Sequence, residues 1–255
     1  MMEFETIRVE SNQAVGTITL NRPASMNAVC AAMLFELTRA IEALDADESV
    51  RVVVLRGAEG CFAAGTDMSE FVGRFGDDAE RGNVYARAVR AFAACAKPIV
   101  AGVAGYAFGG GLELVLMSDV VIAADNARFG FPEITLGILP QMGGAAMLTN
   151  RVGRAKAADM LLTGRHIGVE EALACGLVSR LVDGADLEDE VAETARRIAA
   201  MPALGVKLAK QAVLAACASR AEGEESFALL SLTSDDAREG LAALKENRAP
   251  KYVHR

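Results

Sequence analysis

The chain has 255 residues, 52% of them apolar and 24% charged, with a formal net charge of −8. That length supports one large domain, or one domain with a small appendage, and the composition excludes a disordered chain. The acidic balance excludes generic nucleic-acid binding, which needs a basic face, but leaves room for an anionic ligand held by a few local cations.

The N-terminal Met-Met-Glu-Phe-Glu has no apolar leader segment. Thr6–Glu10 and Val15–Leu20 read as strands of a hairpin around a Ser11-Asn12-Gln13 turn. A helix is expected to begin near Asn27, because Met33, Leu37, Ile41 and Leu44 fall on one helical face. Val52–Leu55 is an apolar strand closed by Arg56-Gly57, and Thr66 or Asp67 suits the start of a further helix. The charged, glycine-containing run from Gly73 to Gly82 reads as a mobile loop. A helix from about Asn83 to Ala96 then leads to a strand at Ile99–Val103. Pro98 to Met117 approaches membrane-spanning length, but five glycines and Glu113 make it a buried strand–turn–helix, so no membrane span is expected.

Val120–Ala123 is another buried strand, and the alternation of strands and helices to about residue 183 indicates an α/β fold without a fixed-period repeat. From Leu187 the pattern is helical, with Leu187, Val191, Ala195 and Ile198 on one stripe. After a break at Met201-Pro202, helices are expected over Ala203–Ala216 and Phe227–Leu244, joined by a charged link from Arg220 to Glu225. The chain therefore divides into a core over residues 1–199 and a C-terminal helical region over 200–255. The five cysteines (Cys30, Cys61, Cys95, Cys175, Cys217) include no CxxC pair, as in reduced thiols of a cytoplasmic protein.

The densest chemical signal is Gly105-Tyr-Ala-Phe-Gly-Gly-Gly-Leu-Glu-Leu114. Glycines 109 to 111 allow backbone to approach a ligand closely, and a helix starting there would aim free N–H groups at it. Glu113 lies among Leu112, Leu114, Val115 and Leu116, and Glu133 lies in Phe-Gly-Phe-Pro-Glu-Ile-Thr-Leu-Gly-Ile, equally apolar. Two desolvated carboxylates facing one cleft can take opposite proton-transfer roles; separately, each could simply cap a helix or pair with an arginine. There is no GxSxG, Walker or HExxH motif, and the only histidines, His166 and His254, read as surface residues. Carboxylates and backbone amides remain as the chemistry.

Over essentially its whole length the chain resembles the crotonase (enoyl-CoA hydratase/isomerase) superfamily. The matching segments are Asn21-Arg22-Pro23 with Asn27-Ala28, Ala63-Ala64-Gly65-Thr66-Asp67, Lys97-Pro98 through Leu114, Phe129 to Glu133, Leu136-Gly137, Gly143-Gly144, Leu162-Thr163-Gly164, and Ala172 with Gly176-Leu177-Val178. The resemblance implies a spiral of ββα units with a C-terminal helical region that assembles homotrimers, or dimers of trimers. It implies an acyl-CoA thioester substrate, with CoA carried by the substrate and no metal or other cofactor. By the same resemblance the amides of Thr66 and Gly110 form an oxyanion hole. Glu113 is the base that activates water, and Glu133 the acid that protonates C2. Ala64 offers its carbonyl to the adenine, while Asp67, Met68, Gly109 and Met142 border the acyl group. Arg22, Lys251 and Tyr252 are candidates for holding CoA.

Three positions depart from the common pattern: Ala24 where relatives have a phosphate-binding lysine, Thr66 for alanine, and Met142 in a segment usually reading Gly-Ala-Gly-Gly-Thr-Gln-Arg-Leu. Retention of both acids favours a hydratase over a Δ3-Δ2 enoyl-CoA isomerase; an acyl-CoA hydrolase of the same superfamily is the other alternative, and intact Glu113, Glu133, Gly65 and Gly110 argue against an idle acyl-CoA-binding protein.

Overall fold

Val52-Val53-Val54-Leu55 is buried on both faces, as an interior strand of a largely parallel sheet requires. The computed structural model describes residues 3–70, 79–217 and 235–251. Within them β1 (Ile7–Asn12), β2 (Val15–Leu20), β3 (Val52–Gly57), β4 (Ile99–Val103), β6 (Val120–Ala124) and β9 (Arg180–Val182) form a sheet in the order β1-β2-β3-β4-β6-β9. Only β1 is antiparallel to its neighbour. Val53, Leu55, Ala101, Val121 and Ala123 face the main core with α1 (Ala31–Ala46) and α2 (Ala79–Ala94). Val52, Val54, Val100 and Ile122 face the other way, beneath Leu187, Val191 and Ala195 of α7 (Leu187–Ala199). Each such valine or leucine withdrawn from water contributes roughly 1.5–3 kcal/mol.

A second sheet was not legible in the sequence. It contains β5 (Tyr106–Phe108), β7 (Arg128–Gly130) and β8 (His166–Gly168), and Ala63 bridges to Ala107 beside them. These strands have three residues each, too short to display a two-residue alternation. They reveal how the chain winds. Each of β3, β4 and β6 is followed by a short extended piece in the second sheet: Ala63, β5 and β7 respectively. Helical segments follow in turn: α2, α3 (Gly110–Leu116), and the 3-10 turn Pro132–Leu136 with α4 (Gly144–Val152). The fold is the expected spiral of ββα units. The second sheet stacks the start of each helical segment next to the last, so distant parts of the chain meet there.

Several boundaries differ from the sequence reading. The hairpin turn is Gln13-Ala14, with Gln13 at φ +54°, and Ser11 and Asn12 belong to β1. α1 begins at Ala31 rather than near Asn27, because Met26 and Asn27 adopt positive φ and Cys30 caps the helix by accepting from the Met33 amide. α2 starts at Ala79, so the end of the expected Gly73–Gly82 loop is helical; residues 73–78 lie outside the described residues. No helix starts at Thr66 or Asp67, only the 3-10 turn Met68–Glu70. α5 (Arg154–Thr163) and α6 (Val169–Ala174) complete the segment before β9.

After the Met201-Pro202 break the helical region takes two forms. α8 (Ala203–Cys217) exposes an apolar surface, with Leu204 69% and Val213 64% exposed. It is tied down by Lys210, whose ammonium meets the Asp119 carboxylate at 2.8 Å and the Lys97 carbonyl at 2.9 Å. α9 (Asp235–Lys245) instead returns to the core: Ala237 and Leu241 are buried there, and the helix packs on the turn that carries Glu133. The expected link at 220–225 and residues 227–234 of the last expected helix lie outside the described residues. Among the described residues no helix is long and apolar enough to cross a membrane.

Candidate active site

One side of the site is an extended loop, Ala63 to Asp67. Its alignment begins at Asn27, fully buried at φ +56°, whose Nδ2 donates to the carbonyls of Ala58 (3.0 Å) and Cys61 (2.6 Å). Its Oδ1 accepts from the Arg22 amide at 2.9 Å. The Ala63 amide donates to the Tyr106 carbonyl and the Phe108 amide to the Ala63 carbonyl, so the loop lies along β5. On its other edge Val29 donates to the Gly65 carbonyl and accepts from the Asp67 amide. That ladder skips Thr66, whose N–H points elsewhere. Arg22 closes the arrangement: Nη2 meets Asp67 Oδ2 at 2.9 Å and Nη1 donates to the Ala28 carbonyl at 2.6 Å.

The glycine triplet forms the opposite side, and a side chain would collide at each of its positions. A Cβ on Gly109 would stand 2.3 Å from Glu133 Oε1, one on Gly110 2.8 Å from Thr66 Oγ1, and one on Gly111 2.6 Å from the Ala63 carbonyl. Gly109 also holds φ +48°, where other residues are strained. The triplet therefore lets the first turn of α3 touch the loop and the second acid at once. Gly110 donates to Thr66 Oγ1 at 3.3 Å, which puts the two expected oxyanion-hole residues side by side.

Both acids adjoin this turn, Glu113 through its backbone and Glu133 through its carboxyl. The Glu113 amide donates to Gly109, the glycine over which the Glu133 carboxyl lies. Glu113 is 1% exposed, and its Oε1 accepts from the amides of Met142 (2.6 Å) and Gly144 (2.9 Å). Two N–H donors on one oxygen favour the ionised form of a carboxyl at this depth. Glu133 is 8% exposed and its Oε2 has no hydrogen-bond partner. Burial pushes its carboxyl up to about 7, only partly opposed by its own backbone N–H. Glu113 is thus held by two amides of another segment, whereas Glu133 has its own backbone N–H and one oxygen with no partner. Phe131 and Pro140 pack against Gly144 near Glu113, while Val29 and the Met142 methyl flank Gly110.

Glu113, Glu133, Thr66, Gly109, Gly110 and Met142 come together as the sequence reading grouped them. Ala64, Asp67 and Met68 adjoin on the loop and its 3-10 turn. Arg22 is engaged by Asp67 and Ala28, so its first role is to brace the loop. Lys251 is on the surface, its amide donating to Glu239, and Tyr252 lies outside the described residues. His166 is exposed on β8. Among the described residues no group of three or more His, Cys, Asp or Glu could hold a metal ion. The sequence reading gave no role to Asn27, Val29 or Gly144. Asn27 and Gly144 had a signal, since both lie in segments that match the family; Val29 had none, because its importance lies in what packs against it.

A spiral ββα fold that joins an amide pair to two buried acids defines a crotonase-type protein. The chain belongs to the enoyl-CoA hydratase/isomerase family, whose model matches residues 10–255. It is 44% identical over 258 residues to a probable enoyl-CoA hydratase of Mycobacterium tuberculosis, covering 100% of both chains. It is 40% identical to the 2,3-dehydroadipyl-CoA hydratase of Escherichia coli, covering 97% of this chain and 98% of that one. Among solved structures it resembles an enoyl-CoA hydratase subunit of Geobacillus kaustophilus with a TM-score of 0.82, 36% identity and 100% coverage of both chains.

Proposed function

We propose that the chain is an enoyl-CoA hydratase, a hydro-lyase that adds water across the C2–C3 double bond of a 2-enoyl-CoA thioester. The observation that carries this reading is a pair of buried carboxylates in unlike surroundings, one held by two amides and one pushed up to about 7 by desolvation. Such a pair divides into base and acid near neutral pH.

The thioester carbonyl oxygen sits between the Thr66 and Gly110 amides. Glu113 orients a water and takes its proton as the oxygen attacks C3. The electron pair of the double bond moves toward the carbonyl, and the two amides stabilise the resulting enolate; losing one such donor typically costs about 3 kcal/mol of transition-state stabilisation. Glu133 then delivers its proton to C2. One water has been added, and the proton left on Glu113 returns to Glu133 through solvent before the next turnover. Asp67, Met68, Gly109 and Met142 border the acyl thioester in this reading, Ala64 offers its carbonyl to the adenine, and Arg22, Lys251 and Tyr252 lie toward CoA.

The reaction in this reading uses protein groups alone, so dialysis against a chelator leaves the rate unchanged. The apolar surface of α8 suits burial against further copies of the chain in a homotrimer or a dimer of trimers, working in the cytoplasm. The test is loss of enoyl-thioester absorbance when 2-butenoyl-CoA is mixed with the protein, followed by a panel of long, branched and aromatic enoyl-CoAs. Glu113→Gln is expected to lower the rate by orders of magnitude while keeping the fold. Hydration at the parental rate by that variant, or none by the parent, refutes the reading. New enoyl-thioester absorbance from a 3-enoyl-CoA, without hydration, would instead identify an isomerase.

A further inference from the structure

We propose that the side chain of Thr66, beyond its amide, is part of the oxyanion hole: its hydroxyl accepts from Gly110 in the free enzyme and becomes a donor to the thioester oxygen when substrate binds. This rests on the hydratase reading and adds a group to it. Thr66 Oγ1 lies 3.3 Å from the Gly110 nitrogen. That is longer than the usual 2.9–3.0 Å for N–H···O, so the bond is weak and readily exchanged.

A hydroxyl carries one donor and two acceptor sites. Here an acceptor site is engaged by Gly110, while the O–H has no protein acceptor among the described residues. On the Gly110 side the neighbours are apolar: Val29 Cβ and the Met142 methyl stand 3.4 and 3.6 Å from where a Cβ on Gly110 would be. The thioester oxygen arriving between the Thr66 and Gly110 amides supplies the acceptor that the hydroxyl lacks. It also takes over the Gly110 N–H, so the hydroxyl exchanges one weak hydrogen bond for one that becomes charge-assisted as the enolate forms. The backbone need not move. Val29 holds the residues on either side of Thr66, and Arg22 pins the Asp67 side chain, which confines the change to the threonine side chain.

The bond strengthens as charge develops on the oxygen, so it lowers the barrier more than it tightens ground-state binding. Thr66→Val replaces the hydroxyl with a methyl group of similar size. It is expected to lower kcat for 2-butenoyl-CoA hydration about 10-fold, a modest loss because both amides remain. KM, and the Kd for saturated butanoyl-CoA, should change by less than about twofold. Thr66→Ser, which keeps the O–H, should recover to within about threefold of the parent. Thr66→Ala provides the same comparison if the valine variant folds poorly.

Unchanged kcat in both the valine and alanine variants overturns the proposal. So does a fall in KM at constant kcat, which would make the hydroxyl only an occupant of the Gly110 amide. Equal impairment of the serine and valine variants also overturns it, since that pattern belongs to packing. If the parent itself hydrates no enoyl-CoA, the hydratase reading fails first; an active parent with an unaffected valine variant sinks this inference alone.

Discussion

Glu133 should make the protein less stable as its active site becomes charged, and Glu133→Gln should reverse this. Burial raises its carboxyl from the ordinary 4.5 to about 7. A group with a raised pKa holds its proton more tightly in the folded state than in the unfolded chain. The contribution of Glu133 to stability is therefore fully present below about pH 4.5 and is lost as the pH rises through about 7. At about 1.4 kcal/mol per pH unit, the buried carboxylate costs ~3 kcal/mol at pH 8. Glutamine has nearly the same shape and does not ionise. The amide also needs hydrogen bonds near Gly109, but that requirement is the same at every pH and cancels when two pH values are compared. The stability of the glutamine variant relative to the parent should rise by ~2–3 kcal/mol between pH 5 and pH 8. For a chain of this size that corresponds to roughly 5–10 °C in Tm. Thermal melts of both proteins at the two pH values measure it, and hydration should be lost by orders of magnitude in the same variant. An identical Tm difference at pH 5 and pH 8 would refute the claim that Glu133 is held in a desolvated, proton-retaining site.

Because Glu133 must carry a proton to act as the acid, kcat/KM for hydration should fall about tenfold per pH unit above about 7, and Glu133→Asp should displace or abolish that limb. Gly109→Ala would put a methyl 2.3 Å from Glu133 Oε1 at a φ of +48°. The carboxyl must move, and a loss of about 100-fold in kcat is expected with the overall circular dichroism retained. Asn27→Ala strands the Cys61 carbonyl and the Arg22 amide, leaves the Ala58 carbonyl with the Cys61 amide alone, and forces alanine into φ +56°. A destabilisation of about 2–4 kcal/mol should appear in urea denaturation.

How the fold and site were readable follows from the length scale of each signal. β3, β4, β6, α1 and α7 each run for at least five residues, so apolar runs or helical stripes marked them within a residue or two at most ends. The local chemistry was also legible: three adjacent glycines and a glutamate in each of two apolar runs need partners wherever they fold. β5, β7 and β8, with three residues each, gave no periodic signal, because they exist through pairing with chain segments 20 to 40 residues away. Cys30 as the cap of α1 was equally hidden, since the delayed start depends on two positive-φ residues that Asn27 stabilises through its contacts with Ala58 and Cys61.

What the sequence alone determined is the inventory: which residues could do proton transfer, which backbone could approach a ligand, and which stretches had to be buried. Hydrophobic periodicity and side-chain chemistry are properties of neighbouring residues. Only the tertiary structure decided that Glu133 lies over Gly109, that Glu113 receives the amides of Met142 and Gly144, and that the Thr66 hydroxyl rests on Gly110. Those contacts set the charge and reach of each group, and they arise because the second sheet brings separate turns of the spiral into register.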